Sequence, residues 1–217
     1  GADTLDGGLG AAALSGAGEL DTARYADAAS SVRVDLSIAA AQNTFGAGTD
    51  TLVSIENLTG SAFADILTGD GKANLLDGGD GKDRLLGGGG ADVLGGGAGA
   101  DKLTGGAGAD VMTGGSGKDI FVFLDLGDSA RKHADLITDL AAGDRIDLHA
   151  IDANSTVAGN QAFHLVGALS GHAGEAALKF SASSDTTSLI LDVDGDGKAA
   201  MDVVMAGHQH AFAGFIL

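Results

Sequence analysis

The sequence predicts an all-β protein in which short parallel strands stack into a solenoid. The first observation is the composition: 38 of the 217 residues are Gly, Pro and Cys are absent, and the hydrophobic fraction is still 44%. A disordered chain is much less hydrophobic, and an ordinary globular domain contains less than half as much Gly. The second observation is a sequence period of nine residues. Short internal periods of this kind are typical of solenoids.

The nine-residue period consists of polar positions, each followed two residues later by an apolar one. The polar positions are Asp65, Asn74, Asp83, Asp92, Asp101, Asp110 and Asp119. The apolar positions are Leu67, Leu76, Leu85, Leu94, Leu103, Met112 and Phe121. Five segments between Gly78 and Asp119 read Gly-Gly-x-Gly-x-Asp. Six residues of turn and three of strand, taken twice, make one coil of 18 residues with two parallel strands.

Stacking of such coils explains both the apolar and the acidic positions. At a strand spacing of roughly 4.8 Å, each side chain lies over its counterpart 18 residues earlier. The apolar residues then form two ladders that fill the interior. The carboxylates also lie over one another, and they repel unless a cation lies between them. The net charge of −18 makes nucleic acid an unexpected partner, and a hard cation such as Ca²⁺, which prefers oxygen ligands, is favoured.

Two families share these motifs. The Gly-Gly-x-Gly-x-Asp nonapeptide resembles the RTX repeat, and residues 119–217 resemble the C-terminal domain of serralysin-type RTX proteins. The second resemblance depends on segments such as Gly143-Asp144-Arg145-Ile146-Asp147-Leu148. Together they imply a right-handed parallel β-roll (a β-solenoid) with a C-terminal β-rich capping region. They also imply calcium binding, export by a type I secretion apparatus, and a location outside the cell, free or associated with a cell surface.

The resemblance implies three calcium sites, each between two loops that lie 18 residues apart. In each site the Asp residues supply carboxylates and the other residues supply backbone carbonyls, which gives six oxygens, a normal number for calcium. The first site contains Gly79, Gly81, Asp83, Gly96, Ala98 and Asp101. The second contains Gly88, Gly90, Asp92, Gly105, Ala107 and Asp110. The third contains Gly97, Gly99, Asp101, Gly114, Ser116 and Asp119. A Gly-rich solenoid without metal is the alternative, and five loops in register favour calcium.

The sequence divides into three predicted segments. Residues 1–59 hold degenerate repeats and irregular strands, residues 60–128 form the calcium-binding β-roll, and residues 129–217 form the cap with an apolar export-type tail. The tail is Phe215-Ile216-Leu217, preceded by Gly214 where the family usually has an acidic residue. Because the chain begins within the repeat pattern, we interpret it as a C-terminal piece of a longer protein.

The degenerate repeats carry weaker predictions. Asp3 and Asp21 are 18 residues apart and could share a weaker site, and Glu56 occupies an Asp position. The loops before Asp65 and Asn74 break the Gly pattern, so we expect their sites to be partial or vacant. Alternation over residues 32–38 predicts one longer strand, and residues 39–50 lack alternation and predict a loop.

The C-terminal region contains two further metal candidates. Asp192-x-Asp194-x-Asp196-Gly197 begins like an EF-hand loop, but Val203 stands where a bidentate Glu is required. We therefore favour an Asp/Gly turn between two strands. His208-Gln209-His210 could contact an adventitious metal, and a solvated turn is the favoured interpretation.

No sequence motif indicates catalysis in this segment. There is no His-Glu-x-x-His zinc motif, no Gly-x-Ser-x-Gly elbow and no Cys, so we assign no catalytic residue. The predicted function is a non-catalytic calcium-binding module at the C-terminus of a secreted bacterial protein, which folds on calcium after export. Two alternatives remain open: an accessory module that binds a polysaccharide, or the tail of a serralysin-like metalloprotease whose catalytic domain lies upstream. No apolar run is long enough to predict a membrane span.

Overall fold

The computed structural model describes residues 2–8, 10–16, 18–209 and 214–216, and within these ranges the chain forms strands and turns. The described residues include no helix that could cross a membrane. The prediction of an all-β parallel β-roll is confirmed, because strands pair in parallel with partners mostly 18 residues away. The N-terminal strands are β1 (Thr4–Asp6), β2 (Ala13–Ser15), β3 (Thr22–Arg24), β4 (Arg33–Asp35), β5 (Gln42–Phe45), β6 (Gly48–Val53) and β7 (Asn57–Thr59).

The remaining strands continue the stack and then close it. The central strands are β8 (Ile66–Thr68), β9 (Leu75–Asp77), β10 (Asp80–Gly81), β11 (Arg84–Gly89), β12 (Val93–Gly99), β13 (Lys102–Ala107), β14 (Val111–Gly117) and β15 (Ile120–Val122). The C-terminal strands are β16 (Leu136–Ile137), β17 (Arg145–Asp147), β18 (His164–Val166), β19 (Glu175–Ser181), β20 (Thr186–Asp192), β21 (Met201–Ala206) and β22 (Phe215–Ile216).

Two large sheets form the two walls of the roll. In the described residues, sheet 1 has the order β1-β3-β7-β9-β12-β14-β16-β21-β20-β19-β18, with β10 beside β12, and sheet 2 has the order β22-β17-β15-β13-β11-β8-β4. A small sheet 3 has the order β2-β6-β5. Both large sheets run across the predicted segment boundaries at 59/60 and 128/129, and the division into three segments remains a prediction.

The core consists of the two predicted apolar ladders, extended at both ends. In sheet 2 the ladder is Val34-Leu67-Leu85-Leu103-Phe121-Ile146, and in sheet 1 it is Ala23-Leu58-Leu76-Leu94-Met112-Ile137-Met205. All of these side chains are at most 1% exposed. Full burial stabilises by roughly 1.5–3 kcal/mol for each large apolar side chain, so these ladders are the main source of cohesion between coils.

Strand length distinguishes the intact repeats from the rest of the roll. We expected three-residue strands, and this length is found in β7, β8, β9 and β15. Strands β11 to β14 are six or seven residues long because pairing continues into the Gly-rich loops, as in the pair Gly97 and Gly115. The loops of successive intact coils therefore lie in register, one directly above the other.

The expected loop at residues 39–50 is wrong. Strands β5 and β6 form an antiparallel hairpin there, and β6 also pairs in parallel with β2 through Leu14 and Leu52. The hairpin buries the Leu52 side chain, which is 4% exposed, in the N-terminal core. This burial favours the hairpin although the sequence around Asn43 shows no simple alternation. The longer strand expected over residues 32–38 is also wrong: β4 covers three residues, and Ser37 donates to Asp35 in a turn that leaves Ile38 exposed.

The cap begins as one more coil of the roll. Asp135 and Asp144 are nine residues apart, and Ile137 and Ile146 follow two residues later, pairing with Met112 and Phe121. This coil therefore keeps the short strands and the nine-residue spacing of the repeat. Longer strands appear only in β19 to β21, which form an antiparallel meander on sheet 1. The tail residues Phe215 and Ile216 pair with β17, while Gly1, His210 and Leu217 lie outside the described residues.

Candidate metal centre

The carboxylates of the repeat form two columns along the stack. Each Asp backbone N–H donates to the Oδ1 atom of the Asp in the next coil; the distance is 2.8 Å from Asp83 to Asp101 and 2.9 Å from Asp101 to Asp119. The second column contains the equivalent bond of 2.8 Å from Asp92 to Asp110. These five Asp residues are 0–2% exposed. The nine-residue period therefore places one buried carboxylate per half-coil against its neighbour.

The second oxygen of each carboxylate is unsatisfied. Within the described chain, Oδ2 has no hydrogen-bond partner in Asp83, Asp92, Asp101, Asp110, Asp119 and Asp135. A buried charged oxygen without a partner costs several kcal/mol, and native structures keep few such groups. A repeated, aligned set of unsatisfied carboxylate oxygens is the main chemical feature of this part of the molecule.

The first glycine of each intact loop lies beside this unsatisfied oxygen. A Cβ atom on Gly78 would lie 2.5 Å from Asp83 Oδ2 and 2.6 Å from the carbonyl oxygen of Gly96 in the next coil. On Gly96 it would lie 2.7 Å from Asp101 Oδ2 and 2.5 Å from the Gly114 carbonyl oxygen. A carboxylate oxygen and a carbonyl oxygen thus approach the same space, which only Gly leaves open.

The other loop carbonyls point from the lower coil toward the upper coil. Cβ atoms on Gly97 and Gly99 would collide with the carbonyl oxygens of Gly79 and Gly81, and both upper glycines have positive φ. In the second pair of loops, Gly106 lies in the same way over the Gly88 carbonyl. The Gly79 carbonyl already accepts a hydrogen bond from Ala98 N, and the carbonyl of Ala107, another predicted ligand, accepts one from Gly90 N. Each carbonyl keeps a second lone pair.

The structure brings together the residues of all three sites that the resemblance implies. For the first site, Gly81 pairs with Gly99 and Asp80 with Ala98, which aligns the loop of Gly79, Gly81 and Asp83 with that of Gly96, Ala98 and Asp101. The other two sites are aligned by pairs between loops 18 residues apart: Gly88–Gly106, Gly89–Ala107, Gly97–Gly115, Ala98–Ser116 and Gly99–Gly117. The donors are carboxylate and carbonyl oxygens only, a set that suits a hard cation.

The electrostatics of the columns favour a bound positive charge. Burial raises the pKa of Asp83 to about 7 and the pKa of Asp92 to about 6, and the carboxylate of the next coil adds to each shift. Burial also raises the pKa of Asp101, Asp110 and Asp119, although a backbone N–H donor opposes each increase. A proton or a cation on these carboxylates would offset the free-energy cost of burying their charge and of their mutual repulsion.

Sequence reasoning missed two members of the columns. Asp110 N donates to Asp135 Oδ1 at 2.9 Å, and Asp119 N donates to Asp144 Oδ1 at 3.0 Å, so the cap adds one carboxylate to each column. Burial raises the pKa of Asp135 to about 8. The signal was present, because Asp135 and Asp144 are nine residues apart. Sequence reasoning also missed Asp50, a buried carboxylate outside these columns that accepts a hydrogen bond from Ala12 N.

The degenerate coils satisfy their polar groups differently. Both oxygens of Asp65 accept hydrogen bonds, from Val32 N and from the Ser61 backbone and hydroxyl. Asn74 accepts from Asp70 N through Oδ1 and donates to the Glu56 carbonyl. The expectation that sites at Asp65 and Asn74 are partial or vacant stays a prediction.

The N-terminal coils contain one unsatisfied carboxylate. Asp21 Oδ1 accepts from Asp3 N, which aligns these two residues as expected, and Asp21 Oδ2 has no partner among the described residues. Glu56 accepts from Asp21 N at 3.1 Å, as expected for a residue in an Asp position. Asp21 therefore resembles the Asp residues of the intact repeats, although Asp3 itself is exposed.

The EF-hand-like segment is a turn between β20 and β21, as predicted. Asp192 is fully buried, and its two oxygens accept from Gly195 N and Gly197 N. One ligand atom each from Asp192, Asp194 and Asp196 lies within 4.8 Å of the others. The Asp192 carboxylate is already satisfied, in contrast to the columns. His208 stacks on Phe180 at 3.6 Å, while its neighbour His210 lies outside the described residues.

Comparison with known proteins decides the family. The family model for the peptidase M10 serralysin C terminal matches residues 7–217. The chain belongs to the serralysin C-terminal family. This family is the C-terminal part of these peptidases and not their catalytic domain.

Two relatives place this serralysin-type module among known proteins. Over 88 residues it is 36% identical to the metalloprotease AprA of Pseudomonas entomophila, a match that spans 40% of this chain and 18% of that protein. The AlgE6R2 subunit of the Azotobacter vinelandii mannuronan C5-epimerase has 28% identity and a TM-score of 0.51, covering 70% of this chain and 91% of that one. The proteins that this module resembles therefore include a metalloprotease and a subunit of a C5-epimerase.

Proposed function

We propose that this serralysin-type module binds calcium between successive coils of its β-roll and folds when it does so. The observation that carries the proposal is the set of buried Oδ2 atoms without partners, repeated in every intact coil. The three proposed ions lie between Asp83 and Asp101, between Asp92 and Asp110, and between Asp101 and Asp119. Calcium would neutralise the negative charge of these carboxylates and would be coordinated by the carbonyl oxygens of the loops.

The column also extends the proposed sites into the cap. Asp135 Oδ2 is unpartnered and lies in the same column as Asp110 Oδ2. We therefore include a fourth ion between Asp110 and Asp135. A cation there would link the last intact coil to the capping region, so that calcium binding and closure of the stack support each other.

Coupling between calcium and folding suits a protein that is exported before it folds. At low calcium concentration, unscreened repulsion between buried carboxylates opposes stacking, and the chain stays open for passage through a type I secretion apparatus. Outside the cell, calcium binds the native state only and stabilises it by mass action. The module itself contributes no catalysis, and its activity-bearing domain lies in another part of the secreted protein.

Circular dichroism of the calcium-free chain tests the proposal. We expect the strand signal to be lost in excess chelator at pH 7.5 and restored by calcium, with three or four ions bound per chain in isothermal titration calorimetry. Magnesium at the same concentration is the control and should restore much less structure, because it requires a smaller octahedral site. A full strand signal in the calcium-free chain would contradict the proposal.

The tail of a metalloprotease is the more specific form of this proposal. The similarity to AprA favours it, although the match covers only a small part of that protein. The coding sequence upstream of residue 1 tests it: a His-Glu-x-x-His motif there would support a protease, and a different catalytic domain would refute this form while leaving calcium binding intact.

A further inference from the structure

A cleft lies on the outer face of the antiparallel meander of β19, β20 and β21. Its volume is about 520 Å³, within the range of roughly 300–1,000 Å³ that is usual for small-molecule sites. Outward side chains of the three strands line it together with the loop residues Arg131, Leu169 and Lys198. We call it the meander cleft. Its lining in the described part of the chain includes none of the proposed calcium ligands.

Two cations of the meander cleft have no carboxylate partner. Among the described residues, neither Arg131 nor Lys179 has a carboxylate oxygen within 4 Å, and both side chains are exposed. Lys198 differs, because its Nζ atom donates to Asp196 at 2.8 Å. The hydrogen bonds from Lys198 and, more weakly, the charge of Arg131 lower the pKa of Asp196. Two positive charges are therefore available in the cleft of a protein whose net charge is −18.

One carboxylate of the meander cleft is also unpaired. Asp202 Oδ1 is buried and has no hydrogen-bond partner within the described chain. Asp202 projects from the face of β21 opposite to the buried Val203 and Met205, so it lies outside the Asp columns. Its backbone is fixed, because its N–H donates to the Ser129 carbonyl and its carbonyl accepts from the Ser129 hydroxyl at 2.7 Å. A ligand that donates to Asp202 Oδ1 would offset the cost of burying this unpaired acceptor.

A ligand with charge of one sign fits this arrangement poorly. A simple anion would pair with Arg131 and Lys179, but it would leave Asp202 Oδ1 unpaired and would be repelled by it. A metal ion would suit Asp202 and would be repelled by the two cations. In the described residues, no Lys or Arg nitrogen lies within 4 Å of the Asp202 carboxylate, so the opposite charges do not neutralise each other directly. A molecule that carries both a carboxylate and an ammonium group would satisfy all three side chains.

The apolar part of the lining favours an aliphatic amino acid over a smaller zwitterion. Ile190 lies directly opposite Asp202 on the neighbouring strand and is partly buried. Leu169 is also partly buried and lines the same cleft. These two side chains offer apolar contact to an aliphatic group of the ligand, and burial of that group would add to the affinity.

We propose that the meander cleft binds a free α-amino acid or a short peptide through its amino and carboxyl groups. The carboxylate would lie against Arg131 and Lys179, and the ammonium group would donate to Asp202. The aliphatic side chain would contact Ile190 and Leu169. This ligand is independent of calcium binding, because the meander cleft shares no residue with the proposed ion sites.

Saturation-transfer NMR titrations of the folded full chain with leucine test the proposal. At pH 6.5 the amino group of leucine is protonated. Two analogues each lack one charge: N-acetyl-leucine lacks the ammonium group, and leucinamide lacks the carboxylate. Each should bind roughly tenfold more weakly than leucine, because each loses one charged hydrogen-bonding contact. The dipeptide leucyl-leucine separates the two sources of ligand: tighter binding than leucine assigns the cleft to peptides, and weaker binding assigns it to free amino acids.

Two variants assign each charged group of the ligand to its partner. Asp202→Asn should weaken leucine binding roughly tenfold and leave the binding of N-acetyl-leucine nearly unchanged, because that analogue has no ammonium group to lose. Arg131→Gln/Lys179→Gln should weaken the binding of leucine and N-acetyl-leucine and leave that of leucinamide nearly unchanged. The matched control is Lys118→Gln/Lys132→Gln. It removes two exposed cations that do not line the cleft and should change affinity less than about twofold.

Each other outcome contradicts the proposal in an identifiable way. Equal affinities for leucine and N-acetyl-leucine would mean that no ammonium group is recognised, and equal losses in the control would mean non-specific attraction. Tighter binding of inorganic phosphate than of leucine would identify an anion site instead. Far-UV circular dichroism of the same samples separates the two proposals: a folded chain that binds neither leucine nor leucyl-leucine refutes the amino-acid site alone, and a chain that does not fold on calcium refutes the proposed function.

Discussion

The intact coils between Gly78 and Asp119 and the degenerate coil that ends at Asp65 stack through the same backbone hydrogen bond. They differ in whether the second oxygen of the Asp carboxylate has a hydrogen-bond partner. In both regions a backbone N–H of one coil donates to the first oxygen of the acidic residue in the next, as in Asp65 to Asp83 and Asp83 to Asp101. In the intact coils the second oxygen has no partner within the described chain. In the degenerate coil that ends at Asp65, Ser61 donates to it.

This difference indicates that protein donors satisfy, in the degenerate coils, an oxygen for which we propose a cation in the intact coils. Ser61 occupies the second loop position, where Gly79 stands in the next coil of the same column. Thr44 plays a similar part for Asp50, whose second oxygen accepts from the Thr44 hydroxyl at 2.8 Å. Asn74 replaces the carboxylate with an amide that can donate. The degenerate loops at Asp50, Asp65 and Asn74 are therefore locally satisfied variants of the proposed calcium loop, whereas Asp21 keeps an unsatisfied oxygen.

The largest expected difference between the intact and the degenerate coils is in how their carboxylates make the stability of the calcium-free protein depend on pH. The pKa of Asp83 is raised to about 7 and that of Asp135 to about 8, against about 3.9 in an unfolded chain. The folded state therefore binds more protons than the unfolded state, and stability falls as pH rises. Protonation stabilises fully below about pH 4, and this stabilisation is lost as the pH rises through about 7 and 8. Acid should thus stabilise the fold in the absence of calcium.

Far-UV circular dichroism of the calcium-free protein between pH 4 and pH 8 measures this effect. We expect a strand signal at the acid end that is lost as the pH approaches 8, and a smaller or opposite change in excess calcium, because protons then compete with the ion. The comparison fails if calcium-free stability rises between pH 5.5 and pH 8. That result would mean that the intact carboxylates are already satisfied as anions, like Asp65.

Paired substitutions give the next largest effect. Asp101 belongs to two proposed sites and Asp65 to none of the three, so Asp101→Asn should raise the calcium concentration required for folding roughly tenfold. In chelator the same substitution should let the chain stay folded up to a higher pH, because it removes a buried unpaired charge. Asp65→Asn is the matched control. It should leave the calcium requirement nearly unchanged and lower the pH up to which the calcium-free chain stays folded, since it weakens satisfied hydrogen bonds.

Opposite signs in calcium-free buffer are the decisive result of this pair. Calcium titrations followed by circular dichroism, and pH titrations in chelator followed in the same way, provide the two measurements. Equal calcium midpoints for the two variants would contradict the proposed register of the ions.

The sequence predicts the core and the columns well and the irregular regions poorly, for a physical reason. Leu85, Asp101 and their equivalents repeat at a constant interval, so their neighbours follow from arithmetic. Asp135 lies 25 residues after Asp110 because seven residues are inserted, and constant spacing could not place it. Asp50 reaches Ala12 only through the β5–β6 hairpin, whose register depends on tertiary packing.

The alignment of outward strand positions and the Ser61 contact show a second limit of sequence reasoning. Arg33 lies in an irregular region and Arg145 in the cap, so their common line with Arg84 appears only once the strand register is known. The period itself indicated that loops before Asp65 were degenerate. The period did not indicate that the Ser61 hydroxyl would donate to Asp65, at the position where we propose calcium in the intact coils.

Removal of that hydroxyl gives the smallest and most specific effect. The Ser61 hydroxyl donates to Asp65 at 2.8 and 3.0 Å and accepts from Phe63 N. Ser61→Ala should therefore lower calcium-free stability by about 1 kcal/mol, measured by urea unfolding at pH 5.5, where protonation stabilises the calcium-free fold. Ser116→Ala is the matched control: it changes an exposed hydroxyl in an intact loop and should alter stability by less than about 0.5 kcal/mol.

Calcium should distinguish a lost hydrogen bond from a restored ion site. If the hydroxyl acts in place of a cation, the deficit of Ser61→Ala should shrink at saturating calcium, because the ion can then approach Asp65. Calorimetry should show weak additional calcium binding in Ser61→Ala and no additional binding in Ser116→Ala. A deficit that is the same with and without calcium would mean that Ser61 only braces its loop, and the interpretation of degenerate coils as calcium loops satisfied by protein donors would then be wrong.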